Sequence, residues 1–245
     1  MMNLFNKIIR IQQVDSTNLE AKRRLKNGFT DNCVIVADYQ TNGRGRMNRK
    51  WDSQISGLWF SLLLHIKKIQ PCITIFTGII LHKTLSEILK TKELKIKWIN
   101  DLYWQNKKIA GILSEYDNQN KMAIIGIGVN VNQYIFPDYI KNSAYSLKLI
   151  TGKNVDKYIV LSLFLKNFEH YFQAFMDNGL INFLHYYEKH SYLKNKMIKL
   201  KVGKNSYKGK VKGISETGEL ILLMNNNKTI KFYLADKISI LENLT

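Results

Sequence analysis

Proline is nearly missing from this chain: Pro71 and Pro137 are the only two. No internal repeat or low-complexity linker breaks it up either. Cysteine is equally scarce. Cys33 and Cys72 have no metal-ligand spacing and could close one bridge at most, so they read as reduced, packed thiols. No run of about 18 apolar residues occurs, which excludes a membrane-spanning helix. The opening MMNLFNKIIRIQQVDSTN lacks a long apolar stretch and a small-residue cleavage site, so it does not read as a secretory signal. These absences together predict a cytoplasmic protein. Acidic residues are the last shortage: 19 Asp and Glu stand against 37 Lys and Arg, a formal charge of +18. The surplus is mostly lysine, spread from end to end and mixed with Asn and Ile, as compositional drift would leave it. It makes a nucleic-acid partner an alternative to consider, and it predicts a surface that attracts nucleotides and acidic proteins.

Hydrophobic residues are plentiful at 45%, with 11 Phe, 13 Tyr and 4 Trp, enough for a large core with a small appendage. Lys7 to Val14 reads as extended and leads through Asp15-Ser16-Thr17-Asn18 into a helix over Leu19 to Lys26, stopped by Asn27-Gly28. Cys33–Ala37 and Gly57–Ile66 read as strands, and Ile73–Lys90 as an apolar-faced helix. Leu94–Trp98, Ile109–Ser114 and Met122–Ile127 read as three successive strands. A long helix is expected over Asp156–Met176, capped by Asp156 and ended by Asn178-Gly179. After Lys196 the texture changes to five short alternating runs: 197–202, 207–214, 219–223, 229–234 and 238–241. They predict a small antiparallel barrel. The expected division is a mixed α+β unit over 1–192 and an all-β unit over 193–245.

Three segments carry chemistry. Gly43-Arg44-Gly45-Arg46-Met47-Asn48-Arg49-Lys50-Trp51 combines backbone freedom with fork-shaped donors suited to carboxylate or phosphate. It equally describes an exposed basic turn. It is neither a Walker A loop nor a dinucleotide fingerprint. Lys97-Trp98-Ile99-Asn100-Asp101-Leu102-Tyr103 and Lys107-Lys108-Ile109-Ala110-Gly111-Ile112-Leu113 read as a strand, a polar turn and a return strand beginning at Lys108. A lysine at a strand mouth can meet an anion, and Asp101 could orient an amine or a metal. An ordinary Asn-Asp turn fits the same residues. Gly126-Ile127-Gly128-Val129-Asn130-Val131-Asn132 alternates like a strand whose glycines bare one face, where a flat ligand could lie.

Taken in order, Asp15–Asn18, Gln40–Arg46 running on to Trp51, Lys97–Leu102 with Lys108–Leu113, and Gly126–Val131 resemble the biotin–protein (biotin–acetyl-CoA-carboxylase) ligases. The resemblance implies a class II synthetase-like catalytic domain, α+β with a mixed sheet and helices on one face, plus a C-terminal SH3-like β-barrel. It implies ATP-dependent activation of biotin as biotinyl-5'-AMP and transfer to a lysine of a biotin carboxyl carrier protein. Biotin is then a substrate, and ATP brings Mg2+ on its phosphates, with no dedicated protein metal site. Biotin would be held by Ser16, Thr17, Asn18, Gln40, Gly43, Arg44, Gly45, Arg46, Lys108 and Gly111. The nucleotide would meet Arg44, Arg46, Arg49, Trp51, Asn100, Lys108 and Asn130. Arg46, Lys108 and Asp101 would carry the chemistry, with Lys107 as the bland neighbour.

The chain departs from the family pattern at Asn48, where glycine is usual, and at Ile99, where proline is usual. It has Leu234-Ala235-Asp236 where a Gly-Glu turn is common. It begins almost at the catalytic motifs, so a short form without the N-terminal DNA-binding domain is expected, and with it no DNA partner and no membrane. A homodimer is left open. The alternatives are a lipoate or octanoate ligase of the same fold and a basic nucleic-acid-binding protein.

Overall fold

The computed structural model describes residues 4–66 and 70–241. Seven strands form the main sheet: β1 (Lys7–Val14), β2 (Cys33–Gln40), β3 (Leu58–His65), β4 (Leu94–Lys97), β5 (Asp101–Trp104), β6 (Lys107–Asp117) and β7 (Met122–Val129). They lie in the order β1-β2-β3-β7-β6-β5-β4. β1 runs parallel to β2 and every other neighbour is antiparallel. The helices are α1 (Thr17–Lys26), α2 (Ile73–Leu89), α3 (Leu147–Thr151), α4 (Lys157–Asn178) and α5 (Leu184–His190).

The central strands are apolar on both faces, so both must be covered. Val34, Phe60 and Ile125 face one way and bury against Phe76 and Ile80 of α2 and Phe164 and Phe168 of α4. Phe76 stacks on Phe175 at 4.2 Å, and truncating such a ring to alanine costs about 3–5 kcal/mol. Cys33, Ile35, Leu63 and Ile124 face the other way and meet Ala21 and Leu25 of α1. The sequence places the helices on one face; α1 is the exception, because its apolar i, i+4 pair lies against the opposite one. This puts the N-terminus of α1 directly beside the site.

In α4, Asp156 Oδ1 accepts the Tyr158 N–H at 2.8 Å and Gly179 ends the helix, as the spacing predicts. The 97–108 segment differs from the expectation of one turn and a return strand at Lys108. A further strand, β5, intervenes. Lys97 pairs with Asp101, and residues 98–100 form the connection, in which the Trp98–Ile99 peptide is cis. Asn100 bolts that connection to β6: its Nδ2 donates to Ile112 O, and its carbonyl accepts the Ile112 N–H, both at 2.8 Å.

The second sheet contains β8 (Met197–Val202), β9 (Asn205–Ile214), β10 (Leu220–Met224), β11 (Thr229–Phe232) and β12 (Lys237–Ile240). All are antiparallel, in the order β11-β10-β9-β8-β12. Trp98 joins the two sheets, its Nε1 donating to Gly218 O at 2.9 Å. No helix among the described residues is long and apolar enough to cross a membrane.

Candidate active site

A cavity of about 360 Å³ opens over β6 and β7. Five parts of the chain wall it: the N-terminus of α1, the 43–51 loop, the β4–β5 connection, the 136–144 segment and the turn 235–238. Ser16, Thr17, Asn18 and Gln40 line one end; Arg44, Gly45, Arg46, Arg49 and Trp51 come from the loop. Asn100, Asp101, Lys108, Gly111 and Asn130 complete the set expected from sequence. Gly43 stands behind the lining. Its carbonyl accepts the Trp51 N–H at 2.8 Å, and a Cβ there would strike Ser53 Oγ and the Trp51 carbonyl, so the glycine serves the loop's close turn.

The α1 end is a hydrogen-bond network. Ser16 occupies the N-cap without a side-chain capping bond. Gln40 Oε1 accepts the Thr17 N–H at 2.8 Å, and Gln40 Nε2 donates to Ser53 Oγ at 2.8 Å. Beneath them Ser61, fully buried on β3, lies 2.6 Å from Asn18 Oδ1 and 2.7 Å from Thr17 Oγ1. Asn18 Oδ1 can only accept, so it takes the single Ser61 proton, and Thr17 is left to donate its own. Asn18 Nδ2 is held by Leu113 O and by Glu115 Oε2, at 3.2 and 3.0 Å. Ser61 is absent from the sequence-based site; a lone hydroxyl inside LWFSLLLH is its only local signal.

The glycines of β6 and β7 make room for side chains of the protein itself. A Cβ on Gly128 would sit 2.7 Å from Trp51 Nε1, and one on Gly111 2.9 Å from Trp51 Cζ3. A Cβ on Gly126 would collide with Asn18 Oδ1. The bare floor expected for a flat ligand is therefore already covered by the Trp51 indole and the Asn18 amide. Trp51 packs edge-on to Trp59 at 6.3 Å, and its buried Nε1 has no hydrogen-bond partner among the described residues. An unpaired buried donor costs about 1–3 kcal/mol, which a ligand acceptor would recover.

Cations gather at the opposite end. Lys108 Nζ lies 2.6 Å from Asp101 Oδ1 and 4.8 Å from the centre of the Trp51 ring. Lys97, which also lines the cavity, donates to Tyr103 OH at 3.3 Å. Burial lowers the pKa of Lys97 and of Arg46, and the charge of Asp101 opposes that in both cases. One carboxylate thus faces three cations, an arrangement that favours a further anion. Arg46 Nη2 donates to Ala235 O at 3.2 Å, and Arg49 Nη2 to Asp236 O at 2.8 Å. Between them Met47 and Asn48 both adopt left-handed backbone, with φ of 58° and 57°. Asparagine tolerates that geometry in place of the usual glycine; for methionine it costs roughly 1–2 kcal/mol. Asn130 uses its side chain as a tie, donating to Tyr145 O at 3.0 Å. Lys97, the 235–238 turn and the 136–144 segment, from which Phe136, Tyr139 and Ala144 line the rim, extend the site beyond its sequence-based list. Among the described residues no group of His, Cys, Asp and Glu could hold a metal ion.

Comparison with known proteins adds a second line of support. The "Biotin/lipoate A/B protein ligase family" matches residues 9–132. The bifunctional ligase/repressor BirA of Bacillus subtilis is 32% identical over 234 residues, 91% of this chain and 71% of that protein. BirA of Escherichia coli is 29% identical over 237 residues, covering 93% of this chain and 72% of that protein. The biotin protein ligase of Aquifex aeolicus, solved in complex with biotin and ATP, superposes with a TM-score of 0.85 at 32% identity. That match covers 98% of this chain and 100% of the other.

Proposed function

We infer that this chain, which belongs to the biotin/lipoate A/B protein ligase family, activates biotin with ATP as biotinyl-5'-AMP and transfers the biotinyl group to a lysine of a carrier protein. The observation that carries this reading is one cavity with two unlike ends. Ser16, Thr17, Asn18 and Gln40 form a neutral network of donors and acceptors at one end, and Arg46, Lys97 and Lys108 form a cationic cluster at the other. A ureido ring, with one carbonyl acceptor and two N–H donors, suits the first. A carboxylate beside a triphosphate suits the second.

In the first step a biotin carboxylate oxygen attacks the α-phosphorus. A P–O bond forms, the bond to the bridging oxygen breaks, and pyrophosphate leaves. Two anions must approach each other, so Lys108 and Arg46 neutralise them and hold the attack in line. In the second step the acceptor's lysine amine attacks the acyl carbon, loses a proton, and AMP departs. Asp101 is poised to orient that amine once Lys108 turns to the substrate anion. Magnesium would be carried by the nucleotide's phosphates and would supply charge neutralisation there. Arg44, Arg46 and Arg49 close the loop over the adenylate and exclude water.

Peptide mass mapping after incubation with biotin, ATP and the biotin-accepting domain of a carboxylase tests the reading. One lysine should carry a biotinyl group. An unmodified domain would refute the reading, and modification by lipoate or octanoate in place of biotin would move the chain to the other branch of its family.

A further inference from the structure

The solvent face of the second sheet is a lysine field. In β8, Lys199 and Lys201 point outward, alternating with buried Ile198 and Leu200. In β9, Lys208, Lys210 and Lys212 do the same against buried Val211. The register sets lysine directly opposite lysine twice: Lys199 against Lys208, and Lys201 against Lys237 of β12. Like charges opposed across antiparallel strands destabilise a sheet. None of these six lysines forms an ion pair among the described residues. The other positions of the face on β8, β9 and β12, Met197, Ser206 and Ser239, offer no acid. Asp236, next to the field, is engaged by the Gly203 N–H at 2.6 Å.

We propose that this face is a docking surface for an acidic protein domain, and that the domain is the biotin acceptor. The proposal rests on the ligase reading above and names the partner of that same site. Two further observations select a protein over a nucleic acid. Sheet surfaces that bind single-stranded nucleic acid stack bases on aromatic side chains, whereas β8, β9 and β12 present none on this face: Tyr207 pairs with buried Leu200 and turns inward with it, and exposed Tyr233 follows β11 at the far edge of the sheet. Arginine, the fork-shaped phosphate ligand, is also absent from the face. The field is continuous with the catalytic cavity, because Lys237 belongs to both. A domain seated on β8 and β9 therefore has its edge at the mouth where its lysine must enter. Unpaired lysines spaced along and across the strands would steer such a domain by long-range attraction.

The test is the double variant Lys199→Glu, Lys210→Glu. Neither residue lines the cavity, and the carboxylate introduced at position 199 would face Lys208 in an opposite-charge pair, so the fold is not endangered. Transfer of biotin to a purified carrier domain of net negative charge is followed over a sodium chloride series, alongside biotin-dependent pyrophosphate–ATP exchange. Exchange should match the parent, while KM for the carrier rises roughly ten-fold at low salt. The gap should close as salt screens the field, and Lys199→Gln, Lys210→Gln should fall between. Unchanged transfer kinetics with intact exchange would overturn the proposal. So would salt-sensitive duplex DNA or RNA binding that the double variant loses without any change in transfer. Absence of exchange in the parent protein would instead overturn the ligase reading itself.

Discussion

Lys108 and Asp101 form an ion pair of 2.6 Å across neighbouring strands, at the point where the β5–β6 register shifts. The pair keeps the ammonium in the cavity while no anion is there, and it leaves Lys107 outside. Lys107 lies 4.9 Å from the centre of the Tyr145 ring and does not line the cavity. Lys108→Ala should therefore slow adenylate formation by roughly 10²–10³-fold, while Lys107→Ala changes it less than about three-fold, on the order of a surface charge. Single-turnover formation of biotinyl-5'-AMP measures both. Equal effects would show that the reacting charge is misplaced.

Gly128 and Gly78 make a matched pair. At Gly128 a methyl group would push against the Trp51 indole at 2.7 Å, whereas at Gly78, inside α2, it would meet nothing closer than Ile112 Cδ1 at 3.6 Å. Gly128→Ala should cost about 1–3 kcal/mol and weaken nucleotide binding, because Trp51 must leave the floor. Gly78→Ala should be neutral or stabilising by up to about 1 kcal/mol. Thermal melts with and without ATP separate the two.

Arg46 is tied to the Ala235 carbonyl rather than to a carboxylate, a neutral contact that an anionic adenylate can outcompete. Arg46→Gly should let the adenylate escape, and bystander lysines should then be biotinylated at random. Western analysis of added serum albumin reads this directly; unlabelled albumin at full adenylate production would remove the covering role from the loop.

His82 adds a pH dependence remote from the site. Its Nδ1 lies 2.8 Å from Tyr186 OH and its Nε2 2.9 Å from Leu94 O. Burial first, with His190, Lys95 and Lys83 nearby, pushes its pKa down to about 4. The folded state therefore binds fewer protons than the unfolded chain between the ordinary histidine range and about 4. This contribution is complete above the ordinary histidine pKa and is lost as pH falls toward about 4. Tm should decline over that window, and His82→Phe should flatten the decline. A slope that the variant leaves untouched would assign it to other groups.

Much of this could be read in the chain beforehand, for identifiable reasons. The strands β1 and β8 fall where alternation places them, and α4 has the cap and stop that Asp156 and Gly179 supply. β5 is missed because four residues with one fully buried side chain, Leu102, leave no periodicity to see. Ser61 is missed because its partners, Thr17 and Asn18, are 44 and 43 residues away. The 235–238 turn reaches the site by packing of the second sheet, which no local pattern reports. The glycine face of β7 is visible in sequence, but its occupants, Trp51 and Asn18, emerge only when the strands are assembled. Composition and spacing alone lead to an anion-binding groove; the four ordered motifs choose biotin.

The most direct measurement is exchange of labelled pyrophosphate into ATP by the purified chain, with biotin, lipoate or octanoate as the only variable. The two-ended cavity predicts exchange with biotin, near-background exchange with the other two acids, and loss of the biotin signal in Lys108→Ala. Exchange driven by lipoate or octanoate, or a biotin signal that survives Lys108→Ala, would contradict it.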